Sequence, residues 1–128
     1  MSIANLTPEA YQEAISKAQE DGFVVVQGSP TFLLLDLDDP ASEQQYNRVL
    51  PLLQQNLAAI EYERWASKSG KLHILVQLSL PLPITTRIAL QAVLGSDSVR
   101  EMLSILAVSQ GVEEPSLLFK PSQKHSLL

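Results

Sequence analysis

The stretch Thr31-Phe-Leu-Leu-Leu-Asp-Leu-Asp-Asp-Pro40 constrains this chain more than any other. An apolar run bounded by Gly28-Ser29-Pro30 and by Asp39-Pro40 reads as a buried strand. At its end Asp36 and Asp38 stand two apart, so in an extended chain both side chains leave the same face. Neighbouring carboxylates raise the cost of ionising one another. A hard cation such as Mg²⁺ or Mn²⁺ relieves that conflict, because it takes oxygen ligands and often combines one or two carboxylates with substrate phosphates. Asp36 and Asp38 are therefore the candidate metal ligands. Asp39 before Pro40 has a separate reading as a helix start, with Asp at the N-cap and proline in the first turn. That reading leaves Asp36 unexplained, since Asp is disfavoured inside a strand.

The rest of the chain supplies partners for this strand. Thr7-Pro8-Glu9 opens a helix whose apolar stripe is Tyr11, Ala14, Ile15 and Ala18, and Gly22 closes it. Phe23 to Val26 is a short strand, and the turn at Gly28-Ser29-Pro30 predicts a hairpin with the central strand. After Pro40 the stripe Tyr46, Val49, Leu50, Leu53, Leu57, Ile60 marks a helix, with a kink or break expected at Pro51. Residues 60–66 alternate apolar and charged side chains, as a half-buried strand does. Residues 67–70 turn, and residues 72–80 form a second strand antiparallel to it. Thr85 or Thr86 is the expected cap of the next helix. Ser98 with Glu101 fits a capping box for another, with Val99, Met102, Leu103, Leu106 and Ala107 as its buried stripe. Ser116 to Lys120 is the last strand.

The predicted fold is α+β. Residues 31–120 carry an RRM-like, ferredoxin-like split βαβ core in the order β-α-β-β-α-α-β. Residues 1–30 add an N-terminal helix and an extra strand, and residues 121–128 form a loose tail. The sheet is expected to have one face under helices and one open face. Along residues 73–79 the set Ile74, Val76, Leu78 is uniformly apolar and belongs under the helices. His73 therefore faces the open side, with the carboxylates.

Composition narrows the function. The chain has 128 residues, 45% apolar and 18% charged, which suits one domain with a real core. It has no cysteine, so a thiolate metal site or a disulfide framework is excluded. A net charge of −5 argues against a broad nucleic-acid surface, and 5% aromatic residues supply a base-stacking platform poorly. No secretion signal and no stretch of about 20 apolar residues is evident, so a cytoplasmic protein with no membrane contact is expected.

The combination of Asp36-Leu37-Asp38 at the end of an apolar strand with Ser69-Gly70-Lys71-Leu72-His73 at a strand start resembles the archaeo-eukaryotic primase superfamily. The topology of residues 31–120 resembles that family's RNA-recognition-like core. The run from Arg87 to Glu101 is similar to that of small phage or plasmid replication proteins with such a core. The resemblance implies Asp36 and Asp38 as catalytic ligands of Mg²⁺ or Mn²⁺, and His73 in contact with the phosphates of a nucleoside triphosphate. It also implies a nucleotide-binding segment at Ser69 and Lys71. Lys68, Lys71 and Arg87 are the basic residues nearest this centre and can meet phosphate oxygens. Single-stranded DNA template or a helicase or other replication protein would be the macromolecular partner.

The pattern departs from the family in two places. Lys71 stands where a small residue is usual. No third carboxylate appears on the last strand, where Leu117-Leu118 is followed by Phe119-Lys120. Asp97 falls in a helix linker, and Asp39, Glu113 and Glu114 are the other acids to consider. Primer synthesis is thus one expectation. A non-catalytic adaptor or nucleic-acid binder of the same fold is the other.

Overall fold

The three leucines Leu33, Leu34 and Leu35 are completely buried, so the central strand is covered on both faces. In the computed structural model, which describes residues 3–67 and 69–122, different elements cover each side. The elements are a 3₁₀ turn at Ile3–Leu6, α1 Pro8–Glu20, β1 Phe23–Gln27, β2 Phe32–Leu37, α2 Pro40–Leu57, β3 Ile60–Ala66, β4 Leu72–Gln77, α3 Ile84–Val93, α4 Ser98–Ser109 and β5 Leu117–Pro121. The fold is α+β, with β2-β4-β3 as one antiparallel sheet and β1-β5 as a second, two-stranded one. The helix α2 joins β2 to β3 with β4 between them, which is the split βαβ arrangement.

One face of the three-stranded sheet buries Leu33, Leu35, Leu37, Ile74, Val76 and Leu78 beneath Tyr46 of α2 and Leu94 after α3. This is the expected parity. The other face is not open. Leu34 and Leu75 pack there against Leu118 of β5, with Val26 and Trp65 at the margin. Trp65 Nε1 donates to Phe119 O at 3.2 Å, and Lys120 pairs with Glu63. The β1-β5 ribbon therefore lies across the face predicted to be free.

The predicted hairpin between β1 and β2 does not form. Gly28 N–H continues the β1-β5 ladder by donating to Ser116 O at 3.0 Å. Phe32 N–H closes the turn on Ser29 O at 3.1 Å. The turn thus passes the chain between two sheets instead of folding it back within one. The N-terminal residues reach this covering ribbon through the pairing of β1 with β5.

The outward edge of β2 needs partners for the backbone groups of Leu34 and Asp36, since buried amides and carbonyls go unpaired at a cost of about 1–3 kcal/mol. Leu34 N–H donates to Gln91 Oε1 at 2.9 Å, and Arg100 Nη1 donates to Leu34 O at 2.9 Å. Asp36 N–H donates to Ser96 Oγ at 3.0 Å, and Asp97 N–H donates to Asp36 O at 2.9 Å. All four groups are met by α3, α4 and their linker, where a fourth strand would otherwise pair. Gly95 makes the linker possible: its φ is +97°, and a Cβ there would lie 2.6 Å from Ser42 O.

Other local expectations change for identifiable reasons. The helix α2 runs unbroken through Pro51 and ends at Leu57, where Ala58 adopts left-handed geometry. Ile60 begins β3 and is exposed. The strand β4 ends at Gln77, before Leu78-Ser79-Leu80. Pro83, not a threonine, occupies the N-cap of α3. Asp97 caps α4 by accepting from Val99 N, so the Ser98–Glu101 capping box does not form. The stripe of α4 holds in part: Ala107 is buried and Leu103 packs against its cluster, whereas Val99, Met102 and Leu106 are exposed and Glu101 and Ser104 are buried in their place. Arg100 and Glu101 have turned inward to serve the β2 edge. No helix among the described residues is long and apolar enough to cross a membrane.

Candidate functional site

Asp36 and His73 are direct cross-strand partners in the β2-β4 ladder, with Asp36 Oδ1 3.5 Å from His73 Nε2. That separation is long for a hydrogen bond. Asp36 Oδ1 and His73 Nδ1 are both buried without a hydrogen-bond partner. Such orphan atoms are rare in native proteins and mark places where an ion, water or ligand belongs. Trp65, next across the sheet, meets the His73 ring edge to face at 5.5 Å and fixes its plane.

Asp38 lies one residue past β2, on the same side as Asp36, and Asp97 arrives from the α3-α4 linker. One oxygen from each of Asp36, Asp38 and Asp97 lies within 4.8 Å of the other two. Metal–oxygen distances are about 2.0–2.1 Å for Mg²⁺ and 2.3–2.6 Å for Ca²⁺, so two oxygens on one ion are at most about 4.2 and 5.2 Å apart. The 4.8 Å bound lies inside the Ca²⁺ limit and above the Mg²⁺ limit, so the set closes on the smaller ion only with a small side-chain rotation; its oxygen-only chemistry suits a hard divalent cation. Asp97 is the residue that the sequence did not assign. Its signal was Gly95-Ser96-Asp97, which marks a helix break equally well, and 60 intervening residues hide its proximity to Asp36.

The electrostatics favour an ionised Asp36. Burial pushes the Asp36 carboxyl up, but His73, Arg100 and Lys71 together outweigh it and hold the group below its ordinary value. Lys71 Nζ lies 3.3 Å from Asp38 Oδ1. Its own ammonium is held above the ordinary lysine value, chiefly by Asp38 and further by Asp36 and Asp97. Lys71 is half exposed, so this pair is screened by solvent.

The structure thus brings Asp36, Asp38, His73 and Lys71 together. Arg87 does not join them. Its guanidinium is buried, with Nη1 and Nη2 donating to Glu114 at 2.9 and 2.8 Å and Nε donating to Leu82 O at 2.9 Å. It is an internal strut and has no free fork for phosphate. Glu114 is correspondingly its partner and no metal ligand. Asp39 caps α2 by accepting from Ser42 N at 2.8 Å. Ser69 is exposed on the β3-β4 turn, its hydroxyl 3.1 Å from that of Ser67. Lys68 lies outside the described residues.

Beside the acidic centre is a cleft of about 470 Å³ between α1, α4 and β5. Tyr11, Leu103, Leu117 and Phe119 give it apolar walls, and Arg100, with Asp36, His73 and Asp97, lines its polar end. With a cation on the three carboxylates, a centre opening into an apolar cleft can hold an anionic group and the organic body attached to it.

No protein-family model, no curated protein and no solved structure matches this chain.

Proposed function

We propose that this chain is a minimal primase-like nucleotidyltransferase domain that binds a nucleoside triphosphate with Mg²⁺ or Mn²⁺ and serves primer synthesis in the replication of a phage or plasmid. The observation that carries the reading is the convergence of Asp36, Asp38 and Asp97 beside the Asp36–His73 pair. Three carboxylates from two distant segments supply the acidic set that two motifs alone lacked. When bound, a divalent cation supplies charge stabilisation to phosphate oxygens. The chain's own residues hold and orient: Asp36, Asp38 and Asp97 provide oxygen donors, and His73 and Lys71 provide N–H donors for phosphate. The cleft takes the remainder of the nucleotide. A single-stranded template or a helicase would be the partner of such a domain, in the cytoplasm.

A second reading, a non-catalytic adaptor, is favoured by one observation. Val99, Met102, Ile105 and Leu106 expose an apolar face along α4, and such faces often mark interaction surfaces. The two readings separate on calorimetric titration with Mn²⁺ and then ATP or dATP, run beside a template-directed extension assay. Mn²⁺-dependent nucleotide binding together with extension by the wild type, both lost in Asp97→Asn, supports the enzyme. No heat with either nucleotide at millimolar concentration leaves the adaptor.

A further inference from the structure

The helix α4 places a carboxylate in the interior. Glu101 is 2% exposed, and three donors converge on it. Gln91 Nε2 donates to Oε1 at 2.8 Å, Ser96 Oγ donates to Oε2 at 2.7 Å, and Arg100 Nη1 donates to Oε2 at 2.5 Å. Replacing a buried ion pair by apolar groups of similar volume is often neutral or stabilising. Stability alone is therefore a weak reason for this arrangement. Directionality is a better one. With its proton directed at Glu101, the Ser96 hydroxyl turns a lone pair to Asp36 N–H at 3.0 Å. The next residue along, Asp97, ties its own N–H to Asp36 O. Gln91 repeats the pattern one pair of residues back, donating to Glu101 and accepting from Leu34 N–H.

We propose that Glu101 is a positioning residue for the carboxylate centre: it orients Ser96, which clamps the backbone of Asp36 and so registers the Asp97 carboxylate beside those of Asp36 and Asp38. The proposal rests on the metal-binding reading above and deepens it. Glutamine cannot substitute, because each carboxylate oxygen faces donors only, and an amide would set an NH₂ group against one of them. Outer partners of this kind typically change metal affinity by about 10–100-fold when removed.

The test uses the full chain and Mn²⁺ alone as the probe, with circular dichroism to establish that each variant is folded. Ser96→Ala keeps the Glu101–Arg100 and Glu101–Gln91 contacts and deletes the hydroxyl that joins Glu101 and Arg100 to the Asp36 N–H. Its Mn²⁺ affinity is expected to fall about tenfold, with the fold retained. Glu101→Gln should fall at least as far. The amide proton of Asp36 should also exchange with solvent faster in metal-free Ser96→Ala, a readout independent of the ion. Folded Ser96→Ala that binds Mn²⁺ like the wild type, with Asp36 exchange unchanged, overturns the positioning role and leaves the metal site standing. Wild type that binds no Mn²⁺ overturns the metal reading itself, and this proposal with it. If Glu101→Gln fails to fold, Ser96→Ala alone decides.

Discussion

Asp97 donates its backbone N–H to the carbonyl of Asp36 at 2.9 Å, and the two side chains, 61 residues apart in sequence, share one acidic centre with Asp38. The contact has the form of a strand pairing made by a single linker residue. It makes the position of one carboxylate depend on the backbone of the other. Asp97→Asn keeps the N-cap role towards Val99, because Asn caps as well as Asp. The variant should melt within a degree or two of the wild type and lose most Mn²⁺ affinity. Differential scanning calorimetry with and without Mn²⁺ checks both halves.

Asp36→Asn combined with Asp38→Asn should abolish Mn²⁺ binding and lower metal-free stability slightly, since the fold holds the Asp36 carboxyl below its ordinary value and Lys71 loses its partner Asp38. Asp39→Ala is the matched control. Asp39 accepts from Ser42 N at the start of α2, so its loss should cost about 1 kcal/mol of stability and leave Mn²⁺ affinity alone. Urea unfolding and calorimetry on the two proteins separate helix capping from ion binding. A double variant that still binds Mn²⁺ like the wild type would make Asp36 and Asp38 structural.

Arg87→Ala is expected to behave unlike any of these. Its buried bidentate pair with Glu114 fixes the linker before α3 to the loop before β5. Removing one partner of a buried pair leaves the other uncompensated and costs about 3–5 kcal/mol. The denaturant midpoint should drop accordingly, and any fraction that remains folded should bind Mn²⁺ normally.

These contrasts also mark what was legible in the sequence. Strand parity alone placed Leu33, Leu35, Ile74 and Val76 under the helices and His73 with Asp36, because a period of two leaves no other choice once one face is apolar. It could not reveal that Leu34 and Leu75 are buried too, since the cover on their face is β5, paired with a strand more than 90 residues earlier. The helix α4 misled for a related reason. Of its apolar stripe Leu103 and Ala107 face the core, whereas the unmet backbone of β2 draws Arg100 and Glu101 inward and Val99 and Met102 face solvent. Arg87 reads as a phosphate binder in the sequence because nothing in its local sequence announces Glu114. Long-range hydrogen-bond demand decided all three, and local pattern does not record it.

Acid should destabilise the protein through a group outside the site. Glu61 accepts from Arg64 and from the buried Tyr46 hydroxyl at 2.8 Å. The Arg64 hydrogen bond, against the opposing effect of burial, holds the Glu61 carboxyl below its ordinary value. A carboxyl depressed in the folded state contributes stability that is complete above its unfolded value, near 4.3, and is lost as pH falls through the folded value. Urea midpoints at pH 6 and pH 3 should therefore fall less in Glu61→Gln than in the wild type. Equal falls would mean that the Tyr46–Glu61–Arg64 cluster carries no pH-dependent stability.

The last prediction turns on Lys71, whose ammonium lies 3.3 Å from Asp38 and is drawn also by Asp36 and Asp97. In the absence of a cation this lysine partly neutralises the carboxylates, and so it competes with any ion that enters. With a triphosphate bound, the same group has a better partner in the phosphate oxygens. Lys71→Met should therefore move two affinities in opposite directions. Mn²⁺ alone should bind about twofold to fivefold more tightly, a modest gain because the pair is half exposed and screened. ATP or dATP in the presence of Mn²⁺ should bind more weakly, since a charged donor has been lost. Both effects should shrink as salt rises, since exposed charges are the most strongly screened. Titration of the two proteins with Mn²⁺, and then with nucleotide at saturating Mn²⁺, measures both affinities. Affinities that fall together would show Lys71 supporting the carboxylates structurally. Unchanged affinities would place it outside the site.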